Sequence, residues 1–250
     1  MPAGYVLNWS DEFNTDGAPD TTLWTYDTAL NKTGWYNNEL EYYSANRPEN
    51  ARVESGHLVI EARKEDLSSA SDWGGQHYTS ARLLSKKTWT YGYTEVKAWV
   101  PCPRGAWPAA WQLPAAPHNA WPLDGEVDIM EYVGWNPGKV YQTIHDQLYN
   151  GANGQQKGII HDVPDVCGAW HLYQMTWTHD YIKLGIDGRN YLQYNNDGSG
   201  NYNEWPFSNP QFMILNLAVG GSFGGVNGVD DSSLPWQYLV DYVRVYQAAP

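Results

Sequence analysis

Basic residues are scarce. The chain carries 15 lysines and arginines against 28 aspartates and glutamates, a formal net charge of −13. Phosphate recognition needs a positive face, so nucleic acid is excluded as a partner, and an anionic polysaccharide is disfavoured by the same repulsion. Long apolar runs are also missing. Nothing approaches the roughly 18 consecutive apolar residues of a membrane-spanning helix, and no membrane association is expected. Cysteine is nearly absent, and Cys102 and Cys167 match no metal-binding spacing; they are compatible with one disulfide or with two free thiols. Extended amphipathic helical patterns, fixed-period repeats and Ser- or Pro-rich linkers are all lacking. The first residues, Met1-Pro2-Ala3-Gly4-Tyr5, show no basic segment followed by an apolar one, so a secretion signal is either absent or already removed.

Phenylalanine is rare as well, at 4 residues, whereas tryptophan reaches 14 and tyrosine 19. Trp and Tyr combine an apolar face with a polar edge, the combination that fits the C–H faces and hydroxyl rims of sugars. A neutral carbohydrate partner suits both this bias and the negative charge. The remaining pattern is short alternating runs separated by Gly, Pro, Asn and Asp. Strands are predicted at Leu58–Arg63, Tyr91–Val100, Trp170–Trp177, Phe212–Val219 and Tyr238–Tyr246. Asp187-Gly188, between Ile182–Ile186 and Tyr191-Leu192, predicts a tight hairpin. Loops are expected at Ser68–Gly75, Tyr149–Lys157 and Asn195–Asn203. The whole reads as one all-β domain over residues 1–250, two antiparallel sheets packed face to face.

One stretch does not fit a simple strand. Gly125-Glu126-Val127-Asp128-Ile129-Met130-Glu131-Tyr132 places three carboxylates among apolar residues. Alternation puts Glu126 and Asp128 on one face with Val127 and Ile129 in the core, but it would turn Glu131 inward, where an unpaired charge is costly. One extra residue, a β-bulge around Ile129-Met130, restores the parity and aligns all three acids. Two carboxyl groups about 5–5.5 Å apart are the requirement of a retaining glycosidase, one as nucleophile and one as acid/base. Glu126 and Glu131 would lean together over the shorter Asp128, which can share a proton with a neighbour. The competing readings are a calcium cage, for which alternate residues of a rigid strand are poorly placed, and a solvated acidic face. The apolar neighbours and nearby Trp107, Trp111, Trp121 and Trp135 weigh against the second.

Glu126-Val127-Asp128-Ile129-Met130-Glu131 resembles the signature of glycoside hydrolase family 16, in the bulged form of its laminarinases, the endo-β-1,3-glucanases. Further segments are similar to the family's in order: Trp9–Phe13, Asn37–Tyr43, Arg47–Asn50, Leu58–Glu65, Tyr78–Arg82, Trp107–Trp111, Leu215–Gly221 and Asp241–Tyr246. The resemblance implies a β-jelly roll of two curved antiparallel sheets with a substrate cleft on the concave face. It implies a retaining endo-acting hydrolase of laminarin-type β-1,3-glucan, with Glu126 as nucleophile, Glu131 as acid/base and Asp128 assisting. Mixed-linkage β-1,3-1,4-glucanase or transglycosylase activity, and a non-catalytic β-glucan-binding protein, are the alternatives; binders of this kind typically lose the catalytic pair. The substrate-binding residues implied are Asn37, Arg82, Trp107, Trp111, Trp121 and His145. A structural Ca2+ is implied at Glu12 and Asp241 through their carboxylates and at Gly56 through its carbonyl, with none required for catalysis. A monomer that is secreted or extracellular is expected.

The chain departs from the family pattern in three places. Asp146 follows His145 where an aromatic is common, which leaves the cleft wall on that side undefined. The run Pro114–Ala120 is expected to form a loop over the cleft. Cys102 replaces a small polar residue; if its strand, Tyr91–Val100, neighbours the one beginning near Trp170, a disulfide to Cys167 is feasible and suits a secreted protein.

Overall fold

The computed structural model describes residues 2–249. β-Branched and aromatic residues alternating with polar ones, punctuated by turn formers, give short strands throughout. Helix among the described residues is confined to one α-turn at Gly221–Gly224 and two 3-10 turns at Tyr36–Asn38 and Asp231–Ser233. The strands expected near Leu58, Tyr91, Trp170, Phe212 and Tyr238 are present as His57–Lys64, Gly92–Trp99, His171–Trp177, Gln211–Val219 and Trp236–Ala248. Tyr181–Ile186 and Arg189–Asn195 form the expected hairpin; Asp187 and Gly188, both at positive φ (52° and 77°), make its two-residue turn.

These strands form a ten-stranded and a seven-stranded sheet. In the smaller one the spatial order is Lys157–Asp162, Lys139–His145, Glu126–Tyr132, Ala106–Pro114, Gln211–Val219, Arg82–Ser85 and Trp24–Tyr26, all paired antiparallel. In the larger sheet the only parallel pair among the described residues is Glu41–Tyr43 with Tyr78–Ser80. The fold is a β-jelly roll sandwich, and the acidic strand lies in the interior of the smaller sheet, where both its edges are held.

Between the sheets lies one large core, built from Leu58, Ile60, Leu83, Val127, Ile129, Met213, Leu215, Tyr238 and Val240 among others. Eight of the fourteen tryptophans (Trp9, Trp24, Trp35, Trp89, Trp107, Trp177, Trp205 and Trp236) are buried. More than half of the tryptophans therefore serve the core. Several of their indole N–H groups find partners inside: Trp24 Nε1 donates to Asp11 at 2.7 Å and Trp177 Nε1 to the Phe207 carbonyl at 2.9 Å.

Cys102 and Cys167 form a disulfide across a Cα–Cα distance of 5.6 Å. The strand that ends just before Cys102 and the one that begins just after Cys167 neighbour one another, since His171 pairs with Ala98.

Candidate active site

The chain enters the acidic strand through Gly125, at φ 88°, where a Cβ would come within 2.7 Å of the Phe207 ring; only glycine fits. Along the strand Val127, Ile129 and Met130 are fully buried. Register shows the bulge directly. On one side Asp128 pairs with Thr143 and Glu131 with Tyr141; on the other Asp128 pairs with Trp111 and Glu131 with Ala109. Each neighbour advances two residues while the acidic strand advances three. Ala109, Trp111 and Leu113 share one face of their strand, so Glu131 is returned to the face carrying Glu126 and Asp128.

That face floors an open cleft of ≈ 680 Å³. Glu126, Asp128 and Glu131 line it, together with Asn37, Arg82, Trp111 and Trp121. Trp121 is the exposed tryptophan of the group, at 46%, and its ring stands 6.2 Å from that of His145. The segment from Pro114 to Ala120 closes one side as expected. Asp124 holds it: its Oδ2 accepts from the Ala120 N–H at 2.8 Å and its Oδ1 from the Tyr202 hydroxyl at 2.6 Å.

Trp107 and His145 stand behind the acids. Trp107 is buried and donates from Nε1 to Glu131 Oε1 at 3.0 Å. It packs edge-on against Phe223 in a small cluster with Val133 and Ala218, flanked by Trp135 and Tyr141. His145 Nε2 lies 3.0 Å from Asp128 Oδ2 and 3.7 Å from Glu126 Oε1. Arg82 does not pair with the three acids. Its Nε donates to Asp27 Oδ2 at 2.9 Å, and its guanidinium lies between Trp35 and Trp111, 5.3 and 4.8 Å from their ring centres. It thereby props Trp111, whose Nε1 donates to Asn216 Oδ1 at 2.8 Å.

Burial pushes the carboxyls of Glu126 and Asp128 well above the usual carboxylate range, and their neighbours' negative charge adds to it. Glu126 and Asp128 also share a hydrogen bond. Burial raises Glu131 too, opposed by the Trp107 N–H, which favours its anion. Three such groups cannot all ionise cheaply, so neighbours are driven to share protons. This is the condition for one carboxylate to attack while another delivers a proton.

A fourth acid escaped the sequence reading. Glu39 lines the cleft, burial raises it, and its charge in turn raises Glu131. Asn37, at φ 56°, hydrogen-bonds its carboxylate, and the Tyr43 hydroxyl donates to Glu39 Oε2 at 3.2 Å. Fully buried Glu41 accepts from the Val219 N–H at 2.6 Å and hydrogen-bonds Glu39. The signal was the spacing of Glu39-Leu40-Glu41, two acids on one face of an extended segment. Tyr36, 67% exposed on the cleft rim, was missed as well and had no sequence signal.

Glu12, Gly56 and Asp241 lie on the other sheet, and none lines the cleft. Glu12 accepts from Arg244 at 2.9 and 2.7 Å, which holds its carboxyl below the usual range, and it senses the Asp241 charge. Asp241 pairs with Lys97 at 2.7 Å and lies 3.7 Å from His57, the residue after Gly56. As donors, two carboxylates and a carbonyl fit a hard cation, with Arg244 and Lys97 as its competitors.

The family model described as "Glycosyl hydrolases family 16" matches residues 38–244. A "Beta-glucanase" of Rhodothermus marinus is 44% identical over 97% of this chain and 85% of its own length. The crystal structure of SCLam, "a non-specific endo-beta-1,3(4)-glucanase from family GH16", is 50% identical and superposes with a TM-score of 0.96 over 100% of this chain and 93% of that one. A mutant of the same protein, also at TM-score 0.96 and 50% identity over 99% and 96% of the two chains, presents 1,3-beta-D-cellobiosyl-glucose at its active site.

Proposed function

Since the chain belongs to glycoside hydrolase family 16, we propose that its cleft hydrolyses laminarin-type β-1,3-glucan internally, with retention of anomeric configuration. The observation that carries this is the bulge, which sets Glu126, Asp128 and Glu131 on one cleft floor. Glu126 attacks the anomeric carbon and forms a glycosyl ester while Glu131 protonates the departing glycosidic oxygen. Glu131 then deprotonates water, which releases the sugar from Glu126. Asp128 holds a proton with Glu126, and Trp107 orients Glu131. Trp111 and Trp121 offer ring faces to sugars. Net charge of −13 suits a neutral polymer.

The test is the first-formed anomer. Proton NMR during early laminarin hydrolysis should show β-anomers appearing before mutarotation, and α-anomers would refute the mechanism. Glu126→Ser should abolish turnover while laminarin still binds. The likeness to a non-specific β-1,3(4)-glucanase supports a second reading, cleavage of mixed-linkage β-1,3-1,4-glucan by the same residues. Parallel digestion of laminarin, lichenan and curdlan with product sizing separates the two.

A structural calcium held by Glu12, Gly56 and Asp241 belongs to the same reading, as do an extracellular location and a monomeric state. The oxygen-rich donor set supports the calcium, and the Cys102–Cys167 disulfide supports the extracellular location. Chelation should lower the melting temperature, calcium should restore it, and activity of the folded enzyme should not depend on the ion.

A further inference from the structure

His145 stands between partners of opposite demand. The backbone N–H of Gly151 donates to its Nδ1 at 3.1 Å. An amide N–H can only donate, so Nδ1 must present its lone pair. A neutral imidazole has one N–H, and that proton must then sit on Nε2, which faces Asp128 Oδ2 at 3.0 Å. An imidazolium would bring two N–H groups head to head at Gly151. We propose that the Gly151 peptide fixes His145 as a neutral Nε2–H donor, making His145 a positioning residue that orients Asp128 beneath Glu126. This rests on the reading of Glu126 as nucleophile.

The groups facing the ring are few. Asp128 and Glu126 approach from the neighbouring strand, the Trp121 ring from the cleft loop, and Gly151 from the loop after His145 itself. That loop is built by Asp146, the residue that departs from the family pattern. Asp146 is fully buried. Its Oδ1 accepts from the N–H groups of Leu148 and Tyr149 at 2.9 and 2.8 Å, and its Oδ2 from the Tyr194 hydroxyl at 3.0 Å. Asn150 donates to the Asp146 carbonyl at 3.0 Å and accepts from the Asn153 N–H at 3.1 Å. The loop so tied delivers the Gly151 amide to the ring. An aromatic at position 146 would lack the carboxylate that accepts the bonds from Leu148, Tyr149 and Tyr194.

The assignment also bears on metal binding. Glu126, Asp128 and His145 bring one donor atom each within 4.8 Å of one another, close enough to suggest a transition-metal site. Coordination through Nε2 would require the proton on Nδ1, where Gly151 already donates. The fixed tautomer therefore disfavours such an ion and reserves the ring for the carboxylates.

Long-range proton–nitrogen NMR on enzyme labelled at histidine reads the tautomer directly, with His145→Gln identifying the resonance. At a pH where the enzyme is active, Nδ1 should be unprotonated and Nε2 protonated. The reverse tautomer, or an imidazolium, overturns the proposal. Gly151→Pro removes the N–H, whereas Gly151→Ala keeps it and places its Cβ at an ordinary 3.4 Å from the ring. The proline variant should have a kcat about fivefold below the alanine variant at similar KM, the kinetic equivalent of one hydrogen bond between neutral groups. Equal kcat values in two folded variants overturn it. His145→Gln, whose amide N–H can still reach Asp128, should retain more activity than His145→Leu. Failure of the nucleophile assignment would appear separately, as turnover surviving in Glu126→Ser with the NMR result unchanged.

Discussion

Replacing Glu126 by Gln should make the protein inactive and more stable. The substitution keeps the shape and much of the hydrogen-bonding capacity of the side chain but removes a charge that has a carboxylate oxygen of Asp128 within 4.8 Å. At that separation and an effective dielectric constant of about 20, two full charges repel by about 3.5 kcal/mol. The shared proton already relieves part of this, so a gain of about 1–2 kcal/mol is expected at neutral pH. For a chain of 250 residues that gain raises the melting temperature by about 2–4 °C.

The pH dependence follows from the direction of the shifts. Glu126 and Asp128 are raised in the folded state, so between their unfolded and folded pKa values the native protein binds more protons. Wild-type stability therefore falls as pH rises through that window, and the advantage of Glu126→Gln grows with it. Below about pH 4, where both states are protonated, the advantage should vanish. Differential scanning calorimetry of both proteins from acid to mildly alkaline pH measures the difference. A variant less stable than wild type at every pH would show that the acids are not mutually strained, and that the account of their shared protons is wrong.

Trp107→Phe removes the donor that favours the Glu131 anion, so it should raise the Glu131 pKa. Because the acid/base works protonated in the first step, the alkaline limb of the kcat/KM profile should move to higher pH; movement to lower pH would refute the role. Trp121→Ala, at a largely exposed ring, should raise KM for laminarin about five- to tenfold, a stacking contribution of about 1–1.4 kcal/mol, with little change in melting temperature. Exchanging Cys102 and Cys167 together for Ser opens a crosslink with a sequence separation of 65. The chain-entropy estimate is about 4 kcal/mol, and a loss of about 2–4 kcal/mol should appear in denaturant unfolding.

Much of the fold was legible because it depends on period. Alternation marked the strand at Leu58–Arg63, and Asp187-Gly188 marked a two-residue turn, since both signals are local. The bulge was legible for a different reason. Parity at Glu131 conflicts with the cost of burying its charge, and only one extra residue resolves the conflict. The partners of the charged and aromatic residues were not legible. Arg82 reads as a substrate-binding residue, but nothing local announces that its guanidinium pairs with Asp27, 55 residues away in sequence. Trp107 reads as a sugar platform but lies behind Glu131, because the Trp residues chosen by the core and by the cleft have the same composition.

The sequence alone determined the strand pattern and the face on which Glu126 and Asp128 lie, and required a bulge to bring Glu131 there, because side-chain direction along a strand is set by the backbone of that strand. The tertiary structure alone decided which nitrogen of His145 is protonated, which acid Trp107 serves, and that Glu39 joins the cleft. Those depend on chain segments meeting across sheets and loops, and no local periodicity encodes such meetings.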